Sequence, residues 1–204
     1  GRQQHVLRGH ADRVSCVRIC GDKETLVVSA SHDKTVRLWH AERGQLVHLL
    51  REHAGAVTHV DVSRDGKSVL TASYDNTLRV WDVKSGKCTA VLRGHEAPVT
   101  CCQWDRKANT AASTSRDGTV RVWELRKKVV RQLHVLRGHT DWVQCLHYVD
   151  AKRLLVSGSH DATVRVWELK SGACVHELRG HAQVVTAVRW SSLGGGGGGG
   201  GDGD

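Results

Sequence analysis

The sequence predicts an all-β protein built from four-stranded antiparallel units, and three observations carry that prediction. Histidines recur at His10, His53, His95, His139 and His181, in steps of 43, 42, 44 and 42 residues. Tryptophans at Trp39, Trp81, Trp123 and Trp167 keep nearly the same period. An aspartate stands six residues before each of them, at Asp33, Asp75, Asp117 and Asp161. Between these markers lie short Val- and Leu-rich runs, too brief for helices. Pairs such as Asp-Gly, Asp-Asn and Ser-Gly separate the runs and accept the positive φ of tight hairpin turns. Self-similarity at such a period marks a repeat architecture, whose units stack to bury a shared core.

Each repeat divides in the same order. Four, seven and nine residues after the histidine come apolar positions: Val14, Val17, Ile19; Val57, Val60, Val62; Val99, Cys102, Trp104; Val143, Leu146, Tyr148; and Val185, Val188, Trp190. These define the first strand. In the second repeat the four strands fall near Ala56–Val62, Ser68–Ser73, Thr77–Asp82 and Cys88–Leu92. Their breaks are Arg64-Asp65-Gly66-Lys67, Tyr74-Asp75-Asn76 and Lys84-Ser85-Gly86-Lys87.

The pairs Gly9-His10, Gly94-His95, Gly138-His139 and Gly180-His181, with Trp81-Asp82, Trp123-Glu124 and Trp167-Glu168, resemble the WD-repeat β-propeller family over about residues 5–190. Two departures stand out: Glu52-His53 lacks the glycine and Trp39-His40 lacks the acid. In that family a repeat supplies the outer strand of one blade and then the inner strands of the next. The resemblance therefore implies that residues 1–9, through Gln4–Arg8, are an outer strand of a preceding blade. Full repeats are expected near residues 10–50, 53–92, 95–136 and 139–178. Residues 181–190, through Gln183–Trp190, are expected to give only the innermost strand of a fifth blade. The expected shape is an open arc of four blades with partial terminal strands, whose raw edges invite pairing. The chain has no Met at all, and we expect it to be a piece of a longer protein. Residues 194–204, a glycine run with two aspartates, are expected to form a flexible tail.

The resemblance also implies a buried hydrogen-bonded tetrad in each blade. The sets are His10, Ser29, Asp33, Trp39; His53, Thr71, Asp75, Trp81; His95, Ser113, Asp117, Trp123; and His139, Ser157, Asp161, Trp167. Carboxylate, imidazole, hydroxyl and indole N–H can satisfy one another in a chain, as buried polar groups must be satisfied. A Ser/His/Asp set also suggests a hydrolase, but four near-identical copies describe a stapling device rather than one active site. No glycine-rich phosphate loop or metal-ligand spacing appears, so neither enzyme activity, cofactor nor metal is expected.

In the family, the residue before the turn aspartate and the loop after Gly-His lie on one rim that receives partners. Those positions are His32, Tyr74, Arg116 and His160, and Arg13, Ala56, Pro98 and Trp142. Tyr, Trp and Arg are the types enriched at binding hot spots, which singles out Arg13, Tyr74, Arg116 and Trp142. Packing against a neighbouring blade is the other role open to Trp142. Arg37, Arg79, Arg121 and Arg165, two residues before each blade tryptophan, are expected on solvated blade flanks, their stems covering neighbouring strands. Arg126-Lys127-Lys128 with Arg131 forms a basic cluster. Trp123, Glu124 and Arg126 are similar to the Trp-Asp-x-Arg box of substrate receptors in a cullin-type ubiquitin ligase.

Composition narrows the function classes. Thirty Lys and Arg face 21 Asp and Glu, for a net charge of +9, and 39% of residues are hydrophobic, enough to build a core. No apolar run approaches the ~20 residues of a membrane helix, so no membrane partner is expected. The seven cysteines show no Cys-x-x-Cys spacing, which suggests free thiols and a cytosolic or nuclear location. The leading expectation is a non-catalytic scaffold or adaptor, a subunit that recruits other proteins on its rim. A chromatin- or RNA-associated subunit using the basic surface is the second reading, and the ligase receptor the third.

Overall fold

The computed structural model describes residues 5–20, 25–105, 110–126, 129–149 and 152–191. Its strands fall into four blades. The first holds β1 (Val14–Cys20), β2 (Leu26–Ser31), β3 (Val36–His40) and β4 (Gln45–Leu50). The second holds β5 (Val57–Val62), β6 (Ser68–Ser73), β7 (Leu78–Asp82) and β8 (Cys88–Leu92). The third holds β9 (Val99–Trp104), β10 (Thr110–Ser115), β11 (Val120–Arg126) and β12 (Val129–Leu136). The fourth holds β13 (Val143–Val149), β14 (Leu154–Ser159), β15 (Val164–Glu168) and β16 (Cys174–Leu178). Each blade is an antiparallel meander in chain order. The first strands lie side by side, β1 against β5, β5 against β9 and β9 against β13, and the arc stays open.

The core sits between blades rather than within them. Val28, Leu38 and Leu50 of the first blade pack with Val57, Val60 and Trp81 of the second. Leu70 and Leu92 pack likewise with Cys102 and Trp123, and Val122 and Leu136 with Leu146 and Trp167. Burial falls outward. Strands β6, β10 and β14 are buried along nearly their whole length, whereas every residue of β16 is exposed. Short strands with one apolar face cannot satisfy themselves, and stacking against the next blade is what removes that face from water.

The first strand of every blade carries a bulge at the same place. Pairing skips Ser15 in β1, Thr58 in β5, Thr100 in β9 and Gln144 in β13. A bulge re-aims the extra residue. Here it turns three hydroxyls onto the neighbouring blade. Ser15 Oγ donates to the Val57 carbonyl at 2.6 Å, Thr58 Oγ1 to Val99 at 2.8 Å and Thr100 Oγ1 to Val143 at 2.5 Å.

Two expectations need correction. The described residues before the first repeat, 5–9, are not a strand, and neither are residues 181–190. A strand needs a hydrogen-bonded neighbour, and no strand of the four described blades pairs with these segments. Residues 181–191 still follow the fourth blade, with Val185 N donating to the Ser159 carbonyl at 2.9 Å and Val185 and Val188 buried. Gln4, Lys127, Lys128 and the 194–204 tail lie outside the described residues.

Candidate functional site

The polar residues of each blade are brought together as two devices, one buried and one on the rim. In the buried device, Trp39 Nε1 donates to Ser29 Oγ at 2.8 Å. That oxygen lies 2.8 Å from His10 Nε2, and His10 Nδ1 lies 2.8 Å from Asp33 Oδ2. The same chain runs through Trp81, Thr71, His53 and Asp75. It runs again through Trp123, Ser113, His95 and Asp117, and through Trp167, Ser157, His139 and Asp161. A neutral imidazole protonated on Nδ1 satisfies every group in order: indole to hydroxyl, hydroxyl to Nε2, Nδ1–H to carboxylate.

A fifth member is missing from the sequence-based sets. Thr35, Thr77, Thr119 and Thr163 each donate a hydroxyl to the second aspartate oxygen at 2.6 Å. They recur two residues after each aspartate, a register visible in the repeat. Burial alone would raise these carboxyls. Hydrogen bonds from threonine, histidine and backbone N–H outweigh it, so all four aspartates titrate well below the usual carboxylate range. Burial pushes His95 and His139 down, against the pull of their aspartates. His181 makes no such set among the described residues and is exposed.

The four arginines are not free flanks. Arg37 Nη2 donates to the Gly9 carbonyl at 2.7 Å, Arg121 Nη1 to Gln132 at 2.5 Å, and Arg165 pairs with Glu177 at 2.7 Å. A Cβ on Gly94 would stand 2.7 Å from Arg121 Nη1 and one on Gly138 2.5 Å from Arg165 Nη1, with φ at +154° and +156°. The glycine of Gly-His is therefore where the next tryptophan strand's guanidinium passes. Where Glu52 replaces glycine, its carboxylate takes Arg79 Nη1 at 2.6 Å.

On the rim, six of the eight positions read from the sequence, Arg13, His32, Tyr74, Arg116, Trp142 and His160, form one line of contacts across four blades. Arg13 Nη2 lies 2.9 Å from His32 Nε2, and the His32 and Tyr74 rings are 6.0 Å apart. The Arg116 guanidinium lies between two rings, 4.6 Å from the Tyr74 centroid and 4.1 Å from that of Trp142, and also donates to the Tyr74 hydroxyl. Trp142 meets His160 at 5.1 Å. Trp142 thus packs on a neighbouring blade and stays 39% exposed. The line borders an open cleft of about 610 Å³ that no Asp or Glu lines among the described residues.

The remaining candidates are less engaged. Trp123 belongs to its tetrad, and Glu124 pairs with Arg126 at 2.9 Å. Burial raises the thiols of Cys101 to about 12 and Cys145 to about 11, and Cys102 well above its ordinary value, so these sulfurs stay protonated. Among the described residues no cluster of His, Cys, Asp and Glu could hold a metal.

Repeated four-stranded blades pinned by these tetrads define a class, the repeat proteins whose blades stack around an axis. The model of the WD domain, G-beta repeat, matches residues 1–40, 44–82, 86–124, 130–168 and 172–195, and the chain belongs to this WD-repeat family. It is 47% identical over 58 residues to WD repeat-containing protein pop1 of Schizosaccharomyces pombe, covering 28% of this chain and 7% of that protein. It is 41% identical over 59 residues to a probable E3 ubiquitin ligase complex SCF subunit, sconB, of Arthroderma benhamiae, covering 29% and 9%. Over 62 residues it is 34% identical to nuclear distribution protein nudF of Aspergillus niger, covering 30% and 14%. The chain thus spans no more than 14% of the length of these relatives.

Proposed function

We propose that this chain is a non-catalytic protein-interaction scaffold that recruits a partner on its rim. WD repeats in general serve as binding platforms, and the observation that favours the rim is its unbroken line from Arg13 to His160. A guanidinium held between two rings presents a rigid, amphipathic surface at little cost in side-chain entropy. The buried tetrads are repeated and already satisfied, which leaves them nothing to offer a substrate. The test is partner capture by wild-type chain and by Trp142→Ala and Arg116→Ala variants with unchanged melting curves. Partners lost from the variants support the reading, and partners retained at full affinity overturn it.

A second reading is a substrate receptor of a cullin-type ubiquitin ligase, favoured by the likeness to an SCF subunit. Co-purification of a cullin adaptor, reduced by Arg126→Ala, supports it, and adaptor binding that ignores Arg126 removes the role of the Trp123-Glu124-Leu125-Arg126 box.

A further inference from the structure

The missing acid of Trp39-His40 has a structural consequence. After the tryptophan, the second and fourth blades carry Asp82 and Glu168, each held by the serine of the following turn. Ser85 donates to Asp82 Oδ1 from its backbone N at 2.8 Å and its Oγ at 2.6 Å, and Ser171 Oγ donates to Glu168 Oε2 at 2.5 Å. The first blade replaces both partners, with His40 for the acid and Arg43 for the serine. The turn itself is unchanged, since Gly44 N reaches the His40 carbonyl at 2.9 Å as Gly86 N reaches that of Asp82. An imidazole and a guanidinium make no comparable pair. His40 is only 9% exposed, yet neither ring nitrogen finds a hydrogen-bond partner among the described residues. Arg43 is left exposed.

His40 lines an open cleft of about 630 Å³ between the first and second blades, at the opposite ends of the strands from the rim. Leu46, Val47 and Val83 give it apolar walls, and Leu46 and Val47 are 43% and 42% exposed. Arg43, Lys67 and Lys84 also line it, and Asp82, the one carboxylate among the described lining residues, is already held by Ser85. Apolar walls, a few converging polar groups and a volume within the usual range for a ligand site coincide here.

We propose that this cleft binds an acidic–aliphatic peptide segment of a partner protein. The aliphatic side chain fills the space between Leu46, Val47 and Val83, and the carboxylate meets Arg43, Lys67 and Lys84. His40 supplies what a peptide group needs, two unpartnered ring nitrogens: one carrying a proton donates to a backbone carbonyl, and one without accepts from a backbone N–H. A fatty acid would leave half of that unused. The proposal rests on the scaffold reading for its kind of partner, but uses none of the rim residues.

The test is fluorescence anisotropy of the full chain with a fluorescein-labelled Glu-Leu-Glu-Val-Asp-Leu peptide. A peptide with Lys at every acidic position and free octanoate serve as comparisons. The acidic peptide is expected to saturate, and an Arg43→Glu, Lys84→Glu double variant to weaken it by about tenfold or more. His40→Phe, which keeps the volume and removes both nitrogens, is expected to weaken it too. The ring resonances of His40 are expected to move as peptide is added, a readout independent of how that variant folds. Equal binding of the basic peptide, indifference to the charge reversals, or static His40 resonances would overturn the site. Octanoate binding as tightly as the peptide would overturn the peptide as its occupant. Trp142→Ala is expected to leave this affinity unchanged, so the cleft can fail while the rim reading stands, and the reverse.

Discussion

The buried tetrads and the rim occupy equivalent places in every blade, yet they differ in a telling way. The tetrads hold the same chemistry four times: His95 and Asp117 sit in the third blade as His139 and Asp161 do in the fourth, with contacts repeated to within 0.1 Å. The rim position one residue before each aspartate holds His32, Tyr74, Arg116 and His160, three different side chains in four places. Sameness across repeats marks what the blade needs to exist. Difference marks what one blade does that its neighbours do not. His40 belongs to the second kind, a departure at a position where the other three repeats carry an acid.

The comparison breaks most sharply if a tetrad residue proves dispensable. Asp117→Ala is expected to lower stability by about 3 kcal/mol in urea unfolding, because it strands His95, Thr119 and two backbone N–H groups. Acid should act on all four blades at once. The folded state resists protonating His95 and His139, so stability is expected to fall as pH drops below their ordinary 6.5. The four depressed aspartates contribute stability above their ordinary 3.8, which is lost as pH falls further toward their folded values. A melting-temperature series from pH 8 to pH 3 checks the direction, and stability rising on acidification would contradict it.

Smaller effects sharpen the contrast. Thr100→Val keeps the shape but removes the hydroxyl aimed at the Val143 carbonyl, and is expected to cost about 1 kcal/mol in the same unfolding assay. Trp142→Ala is expected to change stability by only about 0.5 kcal/mol, since the ring is more than a third exposed, while weakening a rim partner about tenfold. Calorimetry on the variant and its partner separates the two. A rim variant that unfolds the chain, or a tetrad variant that leaves it intact, would erase the distinction.

Much of the blade was legible because its signals are local. Apolar alternation and turn pairs place the second repeat's strands at their observed bounds, apart from one residue at the start of two of them. The tetrads were legible because four copies agree. Thr35 and its counterparts keep the same register, but threonine in a turn raises no question until a carboxylate oxygen is seen to need it. The bulges at Ser15, Thr58 and Thr100 were not legible, since an extra residue shows only against the strand it faces. The same holds for Gln183–Trp190, whose apolar positions suit a strand although no described strand pairs with it.

The hydroxyl stitch between first strands ends before the last segment. Where Ser15, Thr58 and Thr100 each donate an oxygen-based bond to the next blade, the fourth blade has Gln144 at its bulge. The nearest equivalent there is Cys145 Sγ, 3.8 Å from the Val185 carbonyl. A thiol is a weak donor. Blades coupled only to their neighbours behave as a linear array, in which order is lost from the weakest end and spreads one interface at a time. The chain therefore has a direction of unravelling. Amide protons are expected to exchange fastest around residues 174–191 and slowest in β6 and β10, so that the arc opens like a fan held at its middle ribs.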